Sequence, residues 1–146
     1  MVGSSIKRAL YKRGYHDKNK HLLLTPGRDE LDLTNYSEVE NWFKKNKPDV
    51  VINAAGRVGG ILDNSSFQSD YLYINSMIGL NIINASLNNG VIQLINLGSA
   101  CIYPKEVKQP IKEDYLLSSQ LEKTNEGTIL ALNSADIPVS YTHLRA

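Results

Sequence analysis

An α/β chain built on a doubly wound parallel sheet is predicted by three features of this sequence. Short, nearly continuous apolar runs recur, at 21–25 (HLLLT), 49–55 (DVVINAA) and 91–97, as in strands buried on both faces. Helical periodicity fills the intervals between them. Each apolar run then breaks into a turn rich in glycine, proline or small polar residues, the alternation that marks βα units.

Each element follows from its own residues. The pattern over 6–15 predicts a short amphipathic helix closed near Gly14, a residue suited to the left-handed position after a helix. The strand over 21–25 is closed by Pro26-Gly27. A helix is expected over 36–47, with Val39, Trp42 and Phe43 on one side and Thr34 or Ser37 as its cap. Pro48 stops it, and the strand over 49–55 runs into a glycine-rich turn. A long helix over 70–87 is expected to turn Leu72, Met77, Leu80, Ile83 and Leu87 toward the sheet, with Asn75 a solvated polar position. Asn88-Asn89-Gly90 ends it before the next strand. Internal repeats and low-complexity tracts are absent from the sequence.

Composition narrows the function classes. With 42% hydrophobic and 21% charged residues the chain is globular, and a formal net charge of +1 argues against a nucleic-acid partner. Basic residues crowd the first twenty positions, but they interleave with apolar ones as a solvated helix face does. The lone cysteine has no intramolecular disulfide partner, which points to a reducing cytoplasm. No apolar leader core or membrane-length run is visible, so no membrane association is expected.

The segment Leu97-Gly98-Ser99-Ala100-Cys101-Ile102-Tyr103-Pro104 carries the most chemistry. It begins where a buried strand ends, and open α/β sheets bind their ligands at the carboxyl ends of the strands. A hydroxyl at 99 and a thiol at 101 suit a proton donor and an acid/base group there. A polar turn with one buried core cysteine is the competing reading.

Several further motifs occur with it in order: Met1-Val2-Gly3-Ser4-Ser5-Ile6, Arg28-Asp29-Glu30-Leu31-Asp32-Leu33, Val58-Gly59-Gly60-Ile61, Asn81-Ile82-Ile83, Lys108-Gln109-Pro110 and Leu121-Glu122-Lys123-Thr124-Asn125-Glu126. In this arrangement residues 1–127 resemble the GDP-L-fucose synthase family of extended short-chain dehydrogenases/reductases. The resemblance implies a Rossmann-type sheet and conversion of GDP-4-keto-6-deoxy-D-mannose to GDP-L-fucose with NADPH. The reaction epimerises C3 and C5 and then reduces the C4 ketone. It implies that Ser99 hydrogen-bonds the C4 oxygen and that Cys101 is an acid/base group in epimerisation. Gly3 would meet the cofactor pyrophosphate and Arg28 the 2′-phosphate, with Asp32 and Leu33 beside the adenine. Ala54, Ala55 and Gly56 would pass the diphosphate and ribose. Val58, Gly59 and Gly60 would line the nicotinamide and sugar side. A nucleotide-sugar substrate, NADP(H), no metal and a homodimeric parent protein complete the implied picture. Another nucleotide-sugar epimerase or dehydratase of the same superfamily, and a non-catalytic NADP-binding regulator, are the alternatives.

Both ends depart from the family pattern. The sequence opens inside the glycine-rich turn, so the sheet is expected to be incomplete, lacking its first strand and C-terminal part. The family's Tyr-x-x-x-Lys pair is due at about Thr128 and Leu132, and the partner histidine lies further on. Residues 128–138 therefore read as a frame error, and 139–146 back-translate to a sequencing-library adapter rather than native sequence. The domain boundaries expected are 1–127, 128–138 and 139–146. The chain alone is expected to be unstable and inactive, because edge strands would lie uncovered.

Overall fold

The computed structural model describes residues 2–16, 22–98, 102–104 and 106–116. The chain divides into two compact units, Met1–Asp32 and Leu33–Ala146.

The first unit holds helix α1 (Val2–Lys12). It begins four residues earlier than the apolar periodicity alone suggests. Its end is the expected one: Gly14 adopts φ 87°. The Tyr15 amide reaches the Leu10 carbonyl and the Gly14 amide the Tyr11 carbonyl, the paired bonds of a Schellman cap. His16 stacks on Tyr11, with ring centroids 4.1 Å apart. No residue of α1 is buried. The expected strand over 21–25 does not form in its described part: 22–27 has no regular structure and Leu22 is exposed. A strand is stabilised by its ladder, and 22–25 makes none among the described residues. Further on, the Glu30 and Leu31 amides both bond the Gly27 carbonyl, closing a turn that carries Arg28.

The second unit is one βαβ unit with a preceding helix. Helix α2 (Tyr36–Asn46) is capped by Asn35, whose side chain accepts from the Ser37 and Glu38 amides. The cap is neither Thr34 nor Ser37. Asn35 holds an extended backbone with its oxygen over the first turn, which the capping position requires. Val39 and Phe43 are buried as expected, with Trp42 half-buried beside Phe43. Lys47 turns the chain out of the helix at φ 43° before Pro48.

Strand β1 (Val50–Asn53) then leads through a loop to α3 (Ile61–Ser66), α4 (Gln68–Asn88) and strand β2 (Gln93–Asn96). The strands pair parallel in the register Val50↔Gln93 to Asn53↔Asn96. They are shorter than the apolar runs, and Val50 and Ile95 remain exposed. Gly90, at φ 74°, closes α4 as expected, and the Val91 amide bonds the Ser86 carbonyl. Near the end of the described residues, a single 3-10 turn spans Glu113–Tyr115.

Helix α4 packs on α2 and on both strands, but not with the expected face. Leu72, Leu80 and Leu87 are exposed and Met77 only half-buried; of the five, Ile83 is buried. The inward stripe runs through Tyr71, Asn75, Ile78, Gly79, Ile82, Ala85 and Ser86, spaced as one helix face. Apolarity on several sides made the leucines look like the buried face. Three of the polar residues that disguised the true one are buried with satisfied side chains. Asn75 bonds the backbone of Arg57, Asn81 the Leu33 carbonyl and Ser86 the Ile82 carbonyl. Each buried Ile contributes about 1.5–3 kcal/mol.

Candidate functional site

The parallel strands of the second unit deliver two loops from neighbouring carboxyl ends. At that edge Asn53, nearly buried, donates from Nδ2 to Asn96 Oδ1 at 2.7 Å and accepts the Ala55 amide at 3.1 Å. The amide pair ties the two strand ends together and starts the turn at Ala54. The Leu97 amide then bonds the Asn53 carbonyl, carrying the pairing one residue past β2. Residues 54–60 leave one strand, and Leu97-Gly98 leave the other about 4.8 Å away.

Helix α4 fixes the first loop. Asn75 accepts the Arg57 amide at 2.7 Å and donates to the Arg57 carbonyl at 3.1 Å, treating one residue of loop as a ladder partner would. The expected solvated Asn75 is thus overturned: it is buried because its amide is saturated by backbone. The Arg57 guanidinium lies 4.8 Å over the Tyr71 ring and 3.5 Å from the Asp70 carboxylate. The Tyr71 hydroxyl donates to Asp63, and that bond holds the phenol above its ordinary pKa, with burial and the Asp63 charge adding to it. At the loop's end the Asn64 amide bonds the Gly60 carbonyl at 2.9 Å and its side chain the Gly59 carbonyl at 3.3 Å.

The glycines of this loop have separate reasons. A Cβ on Gly56 would press on Asn75 Oδ1 at 3.3 Å, and one on Gly59 would collide with the Tyr71 hydroxyl and Asp63. Both are small because α4 comes close. Around Gly60 a Cβ would meet open space. Ala54, Ala55, Val58, Gly59 and Gly60 are all exposed. The small side chains of Ala54, Ala55, Gly59 and Gly60 leave room for a dinucleotide diphosphate at the carboxyl edge, while the Ala55 and Arg57 amides are already bonded to Asn53 and Asn75. The loop itself carries no acidic side chain, and the nearby Asp63 and Asp70 are engaged by Tyr71 and Arg57.

Of the other residues singled out by sequence, Leu33 is half-buried and held by Asn81 at 3.0 Å. Gly3 lies in the first turn of α1, and Arg28 and Asp32 are exposed; all three belong to the first unit. Ser99 and Cys101 lie outside the described residues, as do 117–146 with Thr128 and Leu132. Among the described residues no group of His, Cys, Asp and Glu is arranged to hold a metal, and no helix is long and apolar enough to cross a membrane. Asn75, Tyr71 and Asp63 are the site residues that sequence reasoning missed. A polar residue on the 71–75–78–82 helix stripe was the available signal for Asn75.

Residues 1–127 match the NAD dependent epimerase/dehydratase family, and the chain belongs to it. A GDP-L-fucose synthase from Sinorhizobium fredii is 44% identical over 90% of the chain and 40% of its own length. A GDP-L-colitose synthase from Yersinia pseudotuberculosis is 40% identical over 80% of the chain and 38% of its own. Among solved structures, a GDP-D-glycero-L-gluco-heptose synthase from Campylobacter jejuni, determined in the presence of NADPH, superposes with a TM-score of 0.89. It is 32% identical and is matched over 97% of the chain and 40% of its own length. The chain thus spans about two-fifths of these relatives, and the likeness establishes a Rossmann-type α/β fold.

Proposed function

We propose that this chain is part of an NADP-dependent GDP-L-fucose synthase, acting on GDP-4-keto-6-deoxy-D-mannose. The observation that carries the reading is the shared carboxyl edge of β1 and β2. It sends the glycine-rich loop 54–60 and Leu97-Gly98 out from hydrogen-bonded neighbours, and in sequence Ser99-Ala100-Cys101 follow Gly98 directly. The similarity to a GDP-L-fucose synthase supports the choice of reaction.

The chemistry divides among the chain's own residues. A proton α to a ketone becomes removable when the developing enolate oxygen receives a hydrogen bond, which Ser99 supplies to the C4 oxygen. The Cys101 thiol exchanges a proton on one face at the epimerising carbons. Epimerisation leaves the oxidation state unchanged, and inversion requires a second proton-transfer group on the opposite face. When bound, NADPH would supply the hydride for reduction at C4, and a proton donor must meet the C4 oxygen as it does so. Gly3 receives the pyrophosphate at the start of α1 and Arg28 the 2′-phosphate, with Asp32 and Leu33 at the adenine. Ala54, Ala55 and Gly56 pass the diphosphate and ribose, and Val58, Gly59 and Gly60 line the nicotinamide and sugar. The proposal extends to a homodimer in a reducing cytoplasm, which the single cysteine fits.

The boundaries belong to the same proposal. Residues 1–127 form the nucleotide-binding part, 128–138 arise from a shifted frame and 139–146 are not native. Sequencing the source DNA should restore a tyrosine near 128 and a lysine near 132; no frame containing the pair would refute it. The protein from that contiguous frame should oxidise NADPH on addition of GDP-4-keto-6-deoxy-D-mannose and release GDP-L-fucose. Cys101→Ser should abolish epimerisation, and Ser99→Ala should slow turnover about 100-fold or more. Full activity in both variants would sink the reading. A GDP-4-keto sugar with another substitution pattern is the second reading, favoured by the similarity to a GDP-L-colitose synthase. Relative kcat/KM across such substrates separates the two.

A further inference from the structure

Three side chains around the 54–60 loop are not accounted for by catalysis or by the apolar core. Tyr71 is almost fully buried in α4, yet its hydroxyl reaches outward to Asp63, an exposed residue of α3. Arg57 stacks on the same ring and pairs with Asp70 one residue before it. Gly59 lies where the hydroxyl and the carboxylate meet, since a single methyl there would strike both. Asn75 holds the middle of the loop by the Arg57 backbone. The far end is bonded by Asn64 of α3 at the Gly59 and Gly60 carbonyls, and the Tyr71–Asp63 bond ties α3 to α4 and so holds Asn64 in place.

We infer that Tyr71 is a positioning residue, which uses Asp63 and Arg57 to hold Val58, Gly59 and Gly60 in the conformation that receives the sugar nucleotide. The inference rests on the proposed function for the identity of the ligand. The geometry sets the roles. Three residues with no side chain beyond Val58 cannot fix themselves by packing, and Val58 is 83% exposed. Their backbone is instead bracketed by bonds to α4 and α3. A charge-assisted bond from a buried phenol is stiffer than one between exposed groups. An ordinary phenol, with a pKa of about 10, already keeps its donor proton in the neutral range, and the bond to Asp63 moves it further up. A loop placed by second-hand contacts governs how well the substrate is received rather than the chemical step itself.

The test uses the protein from the contiguous reading frame and three variants. Tyr71→Phe keeps the ring and removes the donor. Asp63→Ala removes the acceptor, and Asp63→Asn retains a carbonyl oxygen to accept. Tyr71→Phe and Asp63→Ala are each expected to raise KM for the sugar nucleotide about tenfold, the size of one charge-assisted bond, with kcat within about twofold. Asp63→Asn, which keeps an acceptor oxygen without its charge, should recover part of that loss, with KM between the parent's and that of Asp63→Ala. Unchanged KM in the first two overturns the inference, as does an Asp63→Asn variant no better than Asp63→Ala. So does a loss of kcat that tracks a lower melting midpoint. If the parent protein turns over no GDP-4-keto sugar, the proposed function fails on its own. Amide exchange at Asn64, whose amide bonds the Gly60 carbonyl, then decides the clamp. Faster exchange in Tyr71→Phe and Asp63→Ala, and less so in Asp63→Asn, upholds it, and equal protection in all three refutes it.

Discussion

Helices α1 and α4 make opposite use of hydrophobic residues. Helix α1 has the cleaner amphipathic pattern, with Ile6 and Leu10 one turn apart among lysines and arginines, and it buries no residue. Helix α4 carries apolar residues on several sides, interrupted by asparagines, and it buries nine residues. An amphipathic pattern is a demand for a partner surface. For α4 that surface is supplied by α2 and the two strands of its own unit.

The contrast can be broken most directly by paired truncations in the protein that carries this chain. Phe43→Ala, under α4, should cost about 3–5 kcal/mol, read as a lower midpoint in urea. Leu10→Ala, at a half-buried position of α1, should cost less. Equal losses would mean that α1 is as deeply integrated as α4. Next in size, Asn75→Ala should cost about 1–3 kcal/mol, because it strands the amide and carbonyl of Arg57. A neutral result would show that the buried asparagines of α4 are dispensable.

Asn35→Ala should remove about 1 kcal/mol from α2 by uncapping it, measurable by the same denaturation. The smallest effect is the pH dependence of Glu40. Burial pushes its carboxyl up, but hydrogen bonds from Asn89, Lys44 and Tyr36 with the Lys44 charge outweigh that and hold its pKa below the ordinary value. A lowered folded pKa stabilises above the unfolded pKa and loses that contribution as pH falls through the folded one. The difference in melting midpoint between the parent and Glu40→Gln should therefore be present at pH 7 and shrink toward zero in acid.

What was legible in the sequence was local or alternating. Gly14 and Gly90 announced the ends of α1 and α4 because only a residue tolerant of positive φ suits those positions. The βαβ order was legible because apolar runs alternate with helical periods. The hidden parts depended on partners distant in sequence. Residues 22–25 have strand composition but no ladder among the described residues, and composition does not form a strand by itself. Asn75 reads as solvent-facing because its polarity does not reveal that backbone 18 residues away absorbs it. The cap of α2 was missed by one residue, since Thr34, Asn35 and Ser37 are all competent and only the backbone geometry chooses. At the site, Ala54 to Gly60 were legible as a loop. The reason for Gly56 and Gly59 was not, because it sits on α4.

The Asn53–Asn96 amide pair has a consequence beyond joining two loops. These residues are register partners in the parallel ladder, so their side-chain bond forms in one alignment only. A slip of one residue would set Asn53 against an isoleucine or a leucine and leave buried amide groups without partners, at about 1–3 kcal/mol each. The apolar positions of both strands, Val50 to Ile52 and Leu94 to Ile95, are nearly interchangeable and do little to forbid such a slip. The pair thus acts as a molecular key for alignment, as a single buried asparagine does between coiled helices. It also sets the height at which both loops leave the sheet.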